Sequence, residues 1–296
     1  MIFSKKTLNL KMLKTALVFI LTALIFNNGK TQELDSFFIQ NNNIKTWYVN
    51  KPLNEKIAIV NKLRNESSLE HIFKTYASDK EFYDWFSIID FNHDGIDDIY
   101  YFGYSGAESK AVRFFEGKGN GQFEKVFDVF GKMVSCNIND KKTNLIITVF
   151  DYPCCAGYVN VVEKYFFKQD NNKSTAILFS KEAHLDDTVF PKQLFEKAIS
   201  FKTKNEKYKL RYEPKIKDEG KDEHTDIIGN IIAEYPKNSK GIALAEEIDQ
   251  TGRKWWFVLM YNNITPLSTA LYDGNNNESP YFSYGWMSNN FLEIIK

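Results

Sequence analysis

Short β-rich runs separated by turn residues fill most of this chain from residue 81 onward, and they constrain its fold more than any other feature. Such runs lie at 82–89, 97–103, 110–115, 123–130, 132–138, 144–151, 158–168 and 175–181. Asn- and Gly-rich turn signals separate them, as at Asn92–Gly95 and Gly117–Gly121. Many short strands at regular spacing are typical of an antiparallel sandwich, barrel or propeller-like sheet. The sequence therefore predicts a mainly β fold, with a blade-like or sandwich antiparallel sheet in this region.

Two short helices are predicted ahead of these strands. Residues 54–64 place apolar side chains at helical spacing, and Pro52 just upstream suits a helix start. Residues 68–77 repeat the pattern with a single apolar stripe. We expect these helices to cap the first β domain.

A second β set follows near residue 207, with runs at 207–212, 229–235, 241–248, 254–261 and 291–295. The intervening stretch 183–206 carries Pro191 and mixed polarity, which is typical of a connector. We expect a domain boundary near residue 200, which gives domains at 32–200 and 201–296 after an N-terminal segment at 1–31.

The N-terminal segment 1–31 resembles an export signal. Four lysines precede an apolar run from Ala16 to Phe26, which is shorter than the roughly 20 residues that a membrane-spanning helix needs. Gly29 and Thr31 have the spacing of a signal-peptidase site, so we expect a mature chain that begins at Gln32. An uncleaved anchor or a buried core helix remains an alternative. Export predicts a periplasmic or extracellular protein without a transmembrane segment after cleavage.

Charge argues against nucleic acid as a partner. The full chain holds 38 basic and 38 acidic side chains. Cleavage after Thr31 would remove five lysines and no acid, and would leave a net charge of −5. A mildly acidic chain is a poor ligand for polyanions.

The most specific local motif is the acidic loop that begins at Asp90. Side-chain oxygens stand at loop positions 1, 3, 5 and 9 (Asp90, Asn92, Asp94 and Asp98), Gly95 stands at position 6, and the Ile96 carbonyl can serve position 7. This spacing can surround a hard cation such as Ca²⁺, which takes six to eight oxygen ligands. An Asx-rich turn without metal is the alternative, because Asp, Asn and Gly favour turns unaided.

The predicted calcium site departs from an EF-hand in two ways. Tyr101 occupies position 12, where an EF-hand has a bidentate Glu, and the flanking runs indicate strands rather than helices. Losing that carboxylate weakens affinity, so we expect millimolar-range or structural Ca²⁺ binding rather than sensing.

The segment around this loop resembles one repeat of the FG-GAP/VCBS family over about residues 85–130. The resemblance rests on the Asp-rich loop, the apolar strand after it, and an aromatic strand that ends in the hairpin Gly117–Phe123. It implies an extracellular, bacterial, β-propeller-like module used for binding, with Asp90, Asn92, Asp94 and Asp98 at the family's calcium positions. The sequence holds no second Asp-rich loop, so we expect an isolated blade-like sheet rather than a full propeller.

Three cysteines, Cys136, Cys154 and Cys155, leave several states open. An exported chain can form disulfides. Cys136 can pair with either neighbour if the chain bends at Pro153, a strained Cys154–Cys155 disulfide can form, or the thiols stay free and buried.

The C-terminal region resembles bacterial Src-homology-3-like (SH3-like) domains over about residues 205–295. The resemblance rests on Leu210-Arg211 followed by Pro214, on a Gly252 turn that leads to Trp255-Trp256-Phe-Val258, and on the late Gly285-Trp286. It implies a small β-barrel that binds peptides or the cell wall.

An aromatic groove is the expected ligand site of this barrel. A small barrel buries one face of a strand, and we place Trp256 and Val258 on the inward face. We then expect the rim of a shallow groove to consist of Trp255, Tyr281, Tyr284 and Trp286. Such grooves bind extended or Pro-rich peptides. The alternative is that these aromatic side chains pack on the other domain or on the long loop at 262–282.

No catalytic constellation stands out in the sequence. Gly103–Ala107 lacks the final Gly of a nucleophile elbow, and the histidines are scattered. We therefore expect an exported, non-catalytic binding protein with a peptide, cell-wall or protein ligand. The alternative is a cell-wall-associated enzyme or enzyme inhibitor with a site between the two domains, using Asp97, His93 or His184. A purely structural spacer is a third interpretation.

Overall fold

The computed structural model describes residues 48–106, 110–138, 145–151, 158–170, 173–221, 227–271 and 281–295. The predicted export signal at 1–31 lies outside these residues, as do Cys154 and Cys155. The chain divides into two compact units that change over between Asp186 and Asp187. Among the described residues, the first unit comprises 48–186 and Tyr281, and the second unit comprises the remainder of 187–295.

Both predicted helices are confirmed in the first unit. Helix α1 spans Leu53–Val60, and helix α2 spans Glu70–Tyr76. Short 3-10 turns follow each of them, at Asn61–Leu63 and at Lys80–Trp85. Their apolar side chains form one buried cluster with the adjacent sheet, and this cluster contains Val60, Leu63, Leu69, Ile72, Phe73, Phe82, Phe86, Ile99, Tyr101 and Phe115. The helices therefore cap the sheet as expected.

The capped sheet has four antiparallel strands in sequential order. They are β1 (Phe86–Ile89), β2 (Asp98–Tyr104), β3 (Lys110–Gly117) and β4 (Phe123–Phe130). Successive side chains of β2 and β3 point to opposite faces. Tyr101 and Phe115 pack against the helices, whereas Tyr100 and Phe114 belong to a second core on the other face. Because both faces are covered, the strands are apolar on both sides.

The other four strands of the first unit pair antiparallel with their sequence neighbours. They are β5 (Lys132–Ile138), β6 (Leu145–Asp151), β7 (Val159–Asp170) and β8 (Lys173–Leu185). Phe167 of β7 contacts Phe114 and Phe127 of the capped sheet, with ring centroids 5.8 and 5.4 Å apart. Cys136 lies in the same core as a free, buried thiol. The two sets of strands therefore share one aromatic core.

The second unit is also antiparallel. Its strands are β9 (Ile199–Thr203), β10 (Lys207–Arg211), β11 (Ile231–Pro236), β12 (Lys240–Ile248), β13 (Lys254–Met260), β14 (Ser268–Thr269), β15 (Phe282–Ser288) and β16 (Leu292–Ile294). A 3-10 turn at Asn289–Phe291 joins the last two strands.

The pairing of these strands does not confirm the SH3-like barrel. Strands pair in the order β16-β9-β12-β13-β15-β10-β11-β14. Strand β10 reaches β15 through the single residue pair Arg211 and Trp286. Within the described ranges this path is open and forms no closed barrel. The mainly β prediction is confirmed, and its finer assignment as a barrel is not.

Within the described ranges, no helix reaches the length and hydrophobicity that a membrane crossing requires.

Candidate functional site

The acidic loop connects β1 to β2 at one end of the capped sheet. Strand β1 ends at Ile89 and β2 begins at Asp98, so four of the five predicted ligand residues lie between two paired strands and the fifth, Asp98, is the first residue of β2. Gly95 has a φ of 81°, and His93 has a φ of 60°. A Cβ added at Gly95 would meet no atom within 4 Å, so glycine is favoured there by backbone conformation rather than by lack of space.

Side-chain oxygens of the loop turn inward to its own backbone. The Asp90 carboxylate accepts hydrogen bonds from the amides of Asp94 and Gly95, both at 3.2 Å. Asn92 Oδ1 accepts from the Asp94 amide at 3.1 Å, and Asp94 Oδ1 accepts from the Ile96 amide at 2.8 Å. The structure therefore brings Asp90, Asn92 and Asp94 together around one tight turn.

Asp98 is the buried base of this loop. Its side chain is completely shielded from solvent. Oδ2 accepts from the Phe91 amide at 3.1 Å, and Oδ1 accepts from the Gly117 amide at 2.8 Å. Burial raises the pKa of Asp98 to about 7. The negative charges of Asp94 and Asp90 add to that rise, while the two amide hydrogen bonds oppose it.

The five predicted ligands form an all-oxygen donor set. Three carboxylates, one side-chain amide and one backbone carbonyl match the chemistry of a hard cation. In the part of the chain that the structure describes, no group of three or more His, Cys, Asp or Glu side chains is arranged to hold a metal ion. The oxygens of Asp90 and Asp94 are directed instead at loop amides. A carboxylate oxygen has two lone pairs, so one that accepts an amide can still bind a cation.

Tyr101, at EF-hand position 12, takes no part in the loop. Its ring is buried against Phe86, with centroids 4.8 Å apart, and its hydroxyl donates to the Tyr104 carbonyl at 2.6 Å. The position-12 carboxylate is thus replaced by a core residue.

Glu116 is a residue beside the loop that the sequence analysis missed. It lies at the end of β3 with 1% of its surface exposed. Burial opposes its charge, but hydrogen bonds from Lys118, Ser174 and Asn92 hold the pKa of Glu116 below its usual value. Strand alternation places Glu116 on the same face as the buried Phe114, and that alternation was the signal that could have found it.

Three of the four residues expected at the aromatic rim lie inside the second unit instead. Trp255, Tyr284 and Trp286 are all buried. Phe257 stacks on Tyr284 at 5.8 Å, and Phe190 covers Phe257 at 5.2 Å. The expectation that only one face of β13 is buried was wrong, because Trp256 and Val258 on its other face are buried as well.

Both buried indoles of this set have hydrogen-bond partners. Trp255 Nε1 donates to the Asp249 carboxylate at 2.9 Å, and Trp286 Nε1 donates to the Val189 carbonyl at 2.6 Å. Tyr281, the fourth expected residue, is half-buried in the first unit, and the Lys181 ammonium lies 5.2 Å from its ring centroid. Tyr281 therefore belongs to a different unit from the other three residues.

The residues considered for catalysis are dispersed. Asp97 pairs with Lys51 at 2.9 Å, and His93 is exposed on the loop. His184 is buried on β8, where its Nδ1 lies 2.9 Å from the Leu185 carbonyl and burial lowers its pKa. A buried imidazole with a lowered pKa stays neutral at physiological pH.

Comparison of the chain with protein-family models, with curated proteins and with solved structures gives no match. The resemblances to FG-GAP/VCBS repeats and to SH3-like domains therefore stay predictions that rest on the motifs quoted above.

Proposed function

We propose that the chain is an exported, non-catalytic binding protein whose first unit is stabilised by Ca²⁺ in the loop 90–98. Asp90, Asn92, Asp94, the Ile96 carbonyl and Asp98 are the proposed ligands. The observation that carries this proposal is the environment of Asp98, a fully buried carboxylate whose pKa the negative charges of Asp94 and Asp90 raise further.

A bound cation would offset the cost of burying the ionised Asp98 carboxylate. An ionised carboxylate is costly to bury without a compensating charge. The amides of Phe91 and Gly117 supply only part of that compensation, since the pKa of Asp98 still rises to about 7. A divalent ion among Asp90, Asp94 and Asp98 would neutralise their mutual repulsion and keep Asp98 ionised.

The binding role is the second part of the proposal. Its support is the order of motifs from Leu210 to Trp286, which resembles modules that bind peptides, proteins or cell walls. Trp255, Tyr284 and Trp286 are core residues, so they would act by supporting the fold and not by touching a ligand. Tyr281 is the remaining aromatic candidate for direct contact.

Thermal melting of the full chain tests the calcium proposal. We expect a higher melting temperature in excess Ca²⁺ than in EDTA, because a ligand that binds only the folded state stabilises it by about 1.4 kcal/mol at ten times its Kd. Asp94→Ala should abolish the difference, and Asn120→Ala, in a nearby hairpin, should keep it. Superimposable wild-type curves would refute the proposal.

A pull-down on purified peptidoglycan, run beside a turnover assay on the same material, tests the binding role. Retention of the chain without release of fragments is the expected result. Release of soluble fragments would favour the cell-wall enzyme instead.

A further inference from the structure

Glu116 joins the acidic loop to the beginning of β8. Its Oε1 accepts hydrogen bonds from Asn92 Nδ2 at 3.1 Å and from Ser174 Oγ at 2.9 Å. Its Oε2 accepts from Lys118 Nζ at 2.6 Å. Asn92 and Ser174 are far apart in the sequence, yet they bind the same oxygen atom.

The carboxylate determines how Asn92 is oriented. An ionised carboxylate can only accept hydrogen bonds, so only the NH₂ group of Asn92 can face it. The amide oxygen Oδ1 then faces the loop, where it accepts from the Asp94 amide. The Asp94 carboxylate accepts from the same NH₂ group at 3.0 Å, so Glu116 and Asp94 together position Asn92.

The same carboxylate holds the start of β8. Ser174 is buried, and its hydroxyl and its backbone amide both donate to Glu116, at 2.9 and 3.4 Å. A buried hydroxyl without a partner is costly, so Ser174 resists any movement of Glu116. If Asn92 moves, Glu116 either moves with it and disturbs Ser174, or stays in place because Ser174 holds it.

We propose that Glu116 couples the loop 90–98 to β8, so that a change at Asn92 alters how firmly the beginning of β8 is held. The coupling itself depends only on these contacts. A regulatory role, in which Ca²⁺ bound in the loop would alter β8, rests on the proposed function.

Hydrogen exchange of the full chain, read residue by residue, tests the coupling. In Asn92→Ala we expect the amides of 174–178 to exchange at least about fivefold faster than in wild type, relative to those of β6. Asn120→Ala is the matched control, because Asn120 is also a loop asparagine whose side chain makes hydrogen bonds, but within the described residues only to Gln122. Exchange at 174–178 should change less than twofold in that variant. Unchanged exchange in Asn92→Ala, or an equal rise in Asn120→Ala, would overturn the proposal.

Ser174→Ala provides the reciprocal measurement and guards against misfolding of the first variant. Ser174→Ala removes the hydroxyl bond to Glu116 Oε1, the oxygen that also holds Asn92, so the amides of Asp94–Ile96 should exchange faster than in wild type. If they do not, the coupling is refuted.

Adding Ca²⁺ to the wild type separates this inference from the proposed function. Slower exchange in the loop and at 174–178 supports both, whereas slower exchange in the loop alone refutes the coupling and keeps the calcium site. No effect of Ca²⁺, together with faster exchange at 174–178 in Asn92→Ala, keeps the coupling and refutes the calcium site.

Discussion

The carboxylate of Asp98 accepts a hydrogen bond from the backbone amide of Gly117 at 2.8 Å, and this contact fixes the acidic loop to the end of β3. The backbones approach so closely here that a Cβ added at Gly117 would lie 2.3 Å from the Asp97 carbonyl oxygen and 2.8 Å from Ile96 Cγ2. The loop and β3 therefore form one rigid junction, on which the proposed calcium site depends.

Substitution at that junction should destabilise the first unit. Gly117→Ala must push the Asp97 carbonyl away, and overpacking of this kind costs about 1–3 kcal/mol. We expect a lower urea midpoint with an unchanged slope. The exposed substitution Asn120→Ala is the control, and a Gly117→Ala variant as stable as that control would contradict the predicted close approach.

Asp98 should make stability depend on pH in the absence of Ca²⁺. Its pKa is raised from 3.8 to about 7, so between these values the folded state binds more protons than the unfolded state. The stability contributed by Asp98 is therefore greatest at low pH and decreases as pH rises from about 4 through about 7. Other groups titrate in the same range, so the measurement is the difference between wild type and Asp98→Asn in EDTA.

That difference has a defined direction. Wild type should lose stability relative to Asp98→Asn as pH rises from about 4 to about 7, and excess Ca²⁺ should remove the loss by keeping Asp98 ionised. Parallel stability curves in EDTA would show that the Asp98 carboxyl is not perturbed by its surroundings.

Trp286 should be required for the stability of the second unit. Its indole is fully buried and donates to the Val189 carbonyl. Truncation of a buried Trp to Ala costs about 3–5 kcal/mol. Phe291→Ala, at a 45% exposed side chain of the same unit, should cost far less. Chemical denaturation checks this, and a stable Trp286→Ala variant with impaired ligand binding would instead support the aromatic groove.

A buried ion pair links β7 to β8. Removing one partner should destabilise the protein more than removing both. Lys164 Nζ lies 2.5 Å from Glu182 Oε1, with side chains 14% and 6% exposed. Lys164→Met removes this cation from the Glu182 carboxylate, and loss of one partner of a buried pair costs about 3–5 kcal/mol. The double variant Lys164→Met/Glu182→Leu should recover most of that loss. If chemical denaturation gives Lys164→Met the same free energy of unfolding as wild type, the pair is solvated rather than buried.

Local patterns predicted the elements well, because each depends on residues close together in the sequence. Helix α2 follows from the spacing of Leu69, Ile72 and Phe73, and strand β3 from its apolar run and the Gly-rich turn after it. The pairing of β9 with both β12 and β16 has no local signal, since it joins residues about 40 and 90 positions apart. The order of the strands in the sheet could therefore not be predicted from local sequence patterns.

The candidate site was predicted in part for the same reason. The turn that gathers Asp90, Asn92 and Asp94 is encoded within a few residues. The burial of Asp98 depends on Gly117, and the role of Glu116 depends on Ser174, which are both supplied by other strands. The aromatic rim was misplaced because strand alternation shows two faces but cannot tell that both are covered, as they are at Trp255 and Trp256.

Calcium titration of the full chain by isothermal calorimetry tests the central claim most directly. The proposed site predicts one ion per chain with a Kd in the millimolar range, no binding by Asp94→Ala, and unchanged binding by Asn120→Ala. Absence of a binding heat in the folded wild-type chain at several temperatures, with its melting temperature unmoved by the same calcium concentrations, would contradict it.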